Sequence, residues 1–150
     1  MNLFMDHVVY TDFRAGELSL LLNGDKKMIV RGAAGRKLPY GRVKEGDRLY
    51  FINNNAESYV RAEGIVKNVI NSEKMTESQS RDFLISRQEL LLLTEAQLAR
   101  WGGKRYIVLI EVSDVRATAP FGIDKSGYGN MDDWLPVGDI ESVKSGNTGH

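Results

Sequence analysis

The sequence predicts an α+β fold, a small mixed β-barrel with helices inserted between its strands, and three observations carry that expectation. Segments with strand character outnumber those with helical character along the 150 residues. Two capping-box signatures, Thr76-Glu77-Ser78-Gln79 and Thr94-Glu95-Ala96-Gln97, place helices in the middle of the chain with strand-like segments on either side. An apolar fraction of 42% supplies a core, and interspersed charges leave no stretch that reads as wholly disordered. We expect one domain over residues 1–144 and a flexible tail over residues 145–150.

Each element follows from local pattern. Residues 3–10 are short, apolar and β-branched, which reads as a strand. Residues 13–22 read as a helix, because Ala15, Leu18, Leu21 and Leu22 recur at helical spacing between a candidate N-cap at Asp12 and a stop at Asn23-Gly24. Residues 26–31 read as a strand with Met28 and Val30 on one face and Lys27, Ile29 and Arg31 on the other. Gly32, Gly35, Pro39 and Gly41 make residues 32–44 a loop, and Lys44-Glu45-Gly46-Asp47 is a tight turn into a strand at 48–53. Beyond the turn Asn53-Asn54-Asn55, residues 59–70 pair with that strand. In the helical middle, Leu93 and Leu98 sit where a hydrophobic staple puts them, and Gly102 ends the second helix. Residues 105–112 are almost continuously apolar and predict a central strand buried on both faces. A loop rich in Gly, Asp and aromatic residues runs from Pro120 to Asp133, residues 136–143 form a closing strand, and the small polar tail frays.

Composition excludes several chemistries. The chain has no cysteine, so it has no disulfide framework, thiolate zinc site or cysteine nucleophile. No signal peptide is visible, and the longest apolar run, Leu90 to Leu93, falls far short of the about 20 residues that cross a bilayer; a cytoplasmic protein with no membrane partner is expected. There is no P-loop, no Rossmann fingerprint and no Gly-x-Ser-x-Gly elbow, and no cofactor is expected. Histidine is confined to His7 and His150. Asp124, Asp132 and Asp133 offer oxygen ligands but lack the order of an EF-hand loop, so no metal is expected.

Net charge is zero, but its distribution is uneven. Lys26, Lys27, Arg31, Arg36, Lys37, Arg42, Lys44 and Arg48 are opposed over the same stretch only by Asp25, Glu45 and Asp47. From Glu111 to Glu141 acids dominate. A local basic field attracts polyanions whatever the net charge, whereas the competing reading is a solvated loop that neutralises the acidic half.

The stretch 18–52 resembles the opening of ASCH domains, a branch of the PUA-like superfamily. Gly24, Lys26 and Arg31 match the hallmark Gly-x-Lys-x-x-Glu-x-Arg, and residues 43–51 match the Lys-x-Gly-Asp turn and strand that follow it. The later helices and the strand at 106–112 fit the family's order of elements. One position departs. Ile29 stands where the family has glutamate, or where relatives that look like acetylcytidine amidohydrolases have a threonine nucleophile beside the motif lysine. Isoleucine supplies neither function, so the resemblance implies the fold more than a catalytic activity.

The expected function is that of an RNA-binding, PUA-like domain that also recognises a modified nucleotide. Lys26, Arg31, Arg36, Lys37, Arg42 and Lys44 are the candidate phosphate contacts, with Tyr40 as a stacking surface between them. Lys26 and Arg31 fall on opposite faces of a regular strand and share a cleft only if the strand bulges or they sit at its ends. Trp101, Tyr128 and Trp134 are candidates for a base pocket, against the alternative that they are core aromatics. Gly46 and Asp47 read as turn-forming residues. The alternative function is a hydrolase acting on a modified nucleoside or small amide, with Lys26 in the active site and Glu89 or Glu95 assisting. A third is a small-ligand or protein-binding domain in which the basic stretch serves solubility.

Overall fold

The computed structural model describes residues 3–129 and 132–147. Its elements run β1 (Asp6–Thr11), α1 (Glu17–Leu22), β2 (Met28–Ala33), β3 (Arg48–Asn53), β4 (Tyr59–Asn71), α2 (Glu77–Ile85), α3 (Gln88–Leu91), α4 (Glu95–Trp101), β5 (Tyr106–Ile123), β6 (Trp134–Gly138), a 3-10 turn (Ile140–Ser142) and β7 (Lys144–Asn147). The strands form one mixed sheet in the order β2-β5-β4-β3-β1-β6, with β7 added to β5. All described pairings are antiparallel except β1 with β3, whose register sets Val8 opposite Tyr50 and Val9 opposite Phe51. This is the expected α+β architecture, a curled half-barrel with the helices set between strands.

Alternation along the strands explains where the core lies. On β2, Ile29 faces a cluster with Val9, Leu49, Phe51, Ile110 and Val112, while Met28 and Val30 face a second with Leu84, Leu91, Trp101, Ile107 and Leu109 under the helices. The first half of β5 is buried on both faces, as its apolar run predicts. Each fully buried aliphatic side chain here contributes about 1.5–3 kcal/mol. A third cluster of Val8, Tyr50, Ile52, Leu135 and Ile140 covers the other face of β1 and β3.

The curl comes from irregular pairing between the long strands β4 and β5. The register shifts between Val60 and Ala62, Glu63 and Ile65, and Val66 and Asn68. Asp114 takes a positive φ of 52° opposite this stretch. Such bulges bend a strand and increase its twist. The sheet therefore wraps until its edges face each other, and Arg31 on edge strand β2 donates from Nη2 to the carbonyl of Tyr10 on β1, 2.7 Å away.

Several boundaries differ from the sequence expectation for identifiable reasons. The first helix begins at Glu17, because Asp12 caps a turn through Ala15 N (3.1 Å) and Gly16 breaks it at φ 65°. Strand β5 continues to Ile123, since β4 and then β7 supply partners beyond Val112. The closing strand is shorter and earlier, with a 3-10 turn over Ile140–Ser142. The expected fraying tail is in part a strand: Lys144–Asn147 pairs with β5, and residues 148–150 lie outside the described residues. Both capping boxes form, with Gln79 N donating to Thr76 Oγ1 and Gln97 N to Thr94 Oγ1, each 3.1 Å.

Candidate functional site

The seam where β2 approaches β1 and β6 is a cleft, and Arg31 lies at its floor. Nη1 donates to the carbonyl of Val30 (2.8 Å) and Nη2 to that of Tyr10. The guanidinium carbon is 5.7 Å from the ring centres of both Trp101, on α4, and Trp134, on β6. Its Nε lies 3.3 Å from Asp133 Oδ2 but makes no hydrogen bond and is buried. A planar cation suits this position because it can stack on two rings and donate in its own plane at once.

Lys26 stands behind this floor. It precedes β2, so strand alternation does not separate it from Arg31, and its partner Glu17 lines the inner part of the cleft together with Arg31. Lys26 is 1% exposed, with Nζ 3.4 Å from Glu17 Oε2 and donating to the carbonyl of Leu91. Burial pushes this ammonium below the usual lysine range, against the pull of the Glu17 carboxylate. Glu17 Oε1 accepts from Asp12 N (3.1 Å), and Glu17 itself lines the cleft.

On the far side, Trp134 is fixed by a buried polar chain. Trp134 Nε1 donates to His7 Nδ1 (3.0 Å), and His7 Nε2 pairs with Asp47 Oδ2 (2.9 Å). Asp47 also accepts from Met5 N and Lys44 N, both 3.0 Å. Burial raises the Asp47 carboxyl, but these three donors outweigh it and hold the group below the usual carboxylate range. Asp47 thus keeps its expected structural role and extends it to β1 and β6.

Two adjoining cavities make up the cleft. The inner one, about 220 Å³, is lined by Tyr10, Asp12, Glu17, Arg31, Asn54, Gln97, Arg100, Trp101, Lys125, Asp132 and Asp133. The outer one, about 600 Å³, shares Arg31, Arg100, Trp101, Asp132 and Asp133 and adds Gly32, Ala33, Ala34, Gly35, Lys37, Leu38, Lys104 and Trp134. Carboxylates thus concentrate at the inner end, and Lys37 and Lys104, which have no ion pair among the described residues, at the outer rim.

The sequence-derived candidates fall into separate places. Lys26 and Arg31 are buried and do not present their charge at the surface with the others. Lys37 lines the outer cavity, and Arg42 is exposed on the loop beyond it. Arg36 lies over the rings of Tyr40 (5.6 Å) and Tyr106 (5.5 Å), and Tyr40 OH donates to the Ser72 carbonyl, so Tyr40 is packed into the sheet face. Lys44 donates to the Leu3 carbonyl at the other end of the loop. Trp101 and Trp134 meet across Arg31, but Tyr128 packs against the third core cluster and is absent from both cavities. Glu89 and Glu95 are exposed and outside the cleft, and Ile29 is 0% exposed in the core.

Sequence reasoning missed Tyr10, Asp12, Glu17, Asn54, Gln97, Arg100, Lys104 and His7. Only His7 and Glu17 carried a local signal, as polar residues embedded in apolar segments. Among the described residues no group of three or more His, Asp or Glu is placed to hold a metal ion, and no helix is long and apolar enough to cross a membrane.

Solved structures with this fold exist. An ASCH protein from Zymomonas mobilis superposes with a TM-score of 0.64 at 14% identity, over 94% of this chain and 96% of that one. A substituted form of it gives 0.67 at 13% identity, over 92% and 94%. The chain has an ASCH-type, PUA-like fold. The N-terminal domain of McrB from Staphylothermus marinus shares this fold more distantly, at a TM-score of 0.51 and 11% identity over 95% of this chain and 98% of that domain. No family model matches the sequence, and no curated protein does. In this ASCH-type fold the resemblance at Lys26 and Arg31 thus marks two buried cations, Arg31 at the floor of the cleft and Lys26 behind it on Glu17.

Proposed function

We propose that the domain binds single-stranded RNA across the cleft, with phosphates on the outer rim and one nucleotide, modified or not, at the inner end. The observation that supports this most is the placing of Lys37, Arg100 and Lys104 around the outer cavity beside Trp101. Cations neutralise phosphates, and the Trp101 indole, 9% exposed with Arg100 over its ring at 4.3 Å, forms the apolar wall between them. Arg42 extends the positive surface along the loop, and Arg36 contributes from its seat over Tyr40. The inner cavity has hydrogen-bonding groups on Asp12, Asn54 and Gln97 suited to a base edge. The likeness to the ASCH and McrB structures supports the fold on which this reading rests.

The test is fluorescence anisotropy with short single-stranded and structured RNAs at several salt concentrations, on the wild type and a Lys37→Ala/Lys104→Ala double variant. The proposal expects salt-sensitive binding, and a salt slope shallower by about 1.4 in the variant, the loss of two contacts to a single strand. Absence of binding at low salt, or an unchanged slope in the variant, contradicts it.

A second reading, hydrolysis of a modified nucleoside or small amide with Lys26 in the active site, draws on one observation. The buried Lys26 ammonium abuts Glu17, whose carboxylate reaches the cleft. Ile29 supplies no nucleophile, so water would have to serve. Incubation with N-acylated nucleosides and detection of the deacylated product tests it, with Glu17→Gln as the control; no product from any substrate removes the reading.

A further inference from the structure

His7 is 0% exposed, and its two ring nitrogens are committed in opposite senses. The Asp47 carboxylate already accepts two backbone amides and acts as an acceptor toward Nε2, so Nε2 carries the proton. The Trp134 indole N–H can only donate, so Nδ1 must offer its lone pair. Only the neutral Nε2–H tautomer satisfies both. A second proton would sit on Nδ1 and face the indole N–H across 3.0 Å, two donors with no acceptor between them. Trp134 is also a wall of the outer cavity and one of the two rings flanking Arg31.

We infer that His7 is a proton-operated positioning residue: neutral, it holds Trp134 against Arg31, and protonated, it releases the indole and loosens that wall of the cleft. Charged groups face His7 from each side. Asp47, in the turn before β3, and Asp6, its neighbour on β1, favour the imidazolium; Arg42, from the loop, opposes it. Burial opposes it most, and the ring titrates below its usual range. The unfolded ring titrates near about 6.5, so below that pH the unfolded chain binds more protons than the folded one. Stability from the neutral ring is therefore complete above that value and is lost as the pH falls toward the lower folded one. The device belongs to the protein alone, so it does not depend on what the cleft binds.

The protein has two tryptophans, and each indole N–H gives its own ¹H–¹⁵N signal, Trp101 serving as the internal control. The inference expects the Trp134 signal to move on acidification with the same midpoint as the His7 ring, while that of Trp101 moves less. His7→Gln keeps one donor and one acceptor but does not titrate there, so the pH dependence of the Trp134 signal disappears. Trp134→Phe removes the opposing donor, and the His7 midpoint rises by about 0.4 to 1 pH unit, the equivalent of one hydrogen bond. The inference is overturned if His7 titrates or the wild type unfolds with the Trp134 indole unmoved, or if Trp134→Phe leaves the His7 midpoint in place.

Discussion

Arg31 does two jobs that a lysine cannot share. It donates in two directions to the backbone carbonyls of Val30 and Tyr10 and stacks between two indoles. Arg31→Lys keeps the charge but loses the fork, so we expect a loss of about 1–3 kcal/mol in urea unfolding, and a larger one for Arg31→Ala, which removes both donors and the stacked cation. Asp47 contributes to the acid limb of stability. Its folded carboxyl titrates below the usual range, so its contribution is complete above about 3.9 and is lost as the pH falls through the lower folded value. Asp47→Asn should flatten that limb in acid-unfolding curves; a wild-type slope retained in the variant would assign the limb to other carboxylates. Neither role was legible in the sequence. The motif marked Arg31, but its partners lie on β1, α4 and β6, and His7 meets Trp134 across 127 positions of chain. Local spacing carries no information about such contacts.

At the scale of elements, the sequence was most informative where the structure is local. Strand β3 runs over residues 48–53 as expected, because the turn at Gly46-Asp47 and the turn at Asn53-Asn54-Asn55 define its two ends. Both capping boxes form, because their partners are three residues apart. The α4 box also positions Trp101, the last residue of its helix. Thr94→Ala should therefore cost about 1 kcal/mol and speed amide exchange in the first turn of α4. Strand β5 was misjudged because its outer half is polar and half exposed, and only pairing with β4 and β7 identifies it as strand. Asp114, at φ 52° in that half, is tolerated there because the bulge requires it. Asp114→Gly should raise stability by about 0.5–1 kcal/mol in thermal or urea unfolding, and a loss instead would show that the aspartate side chain holds the bulge.

For the whole molecule, the cleft is a consequence of curling. Bulges in β4 and β5 bend the sheet until β2 faces β1 and β6, and side chains close the remaining gap. That is why the basic segment of the sequence does not fold into one basic patch. Of its two motif cations, Arg31 goes to the floor of the seam and Lys26 is buried behind it, Arg36 is stacked on aromatic rings, and Lys37 reaches the rim beside Arg100 and Lys104, which come from the helical segment. In the proposed function RNA enters at this seam. The most direct measurement is a ¹H–¹⁵N titration of the labelled protein with a short single-stranded oligoribonucleotide. RNA bound there shifts the Trp101 indole and the amides of Lys37, Arg100 and Lys104, and leaves unmoved those around Arg48 and Arg116, which line a separate groove. Shifts gathered around Arg48 and Arg116, or none at saturating RNA, would contradict it.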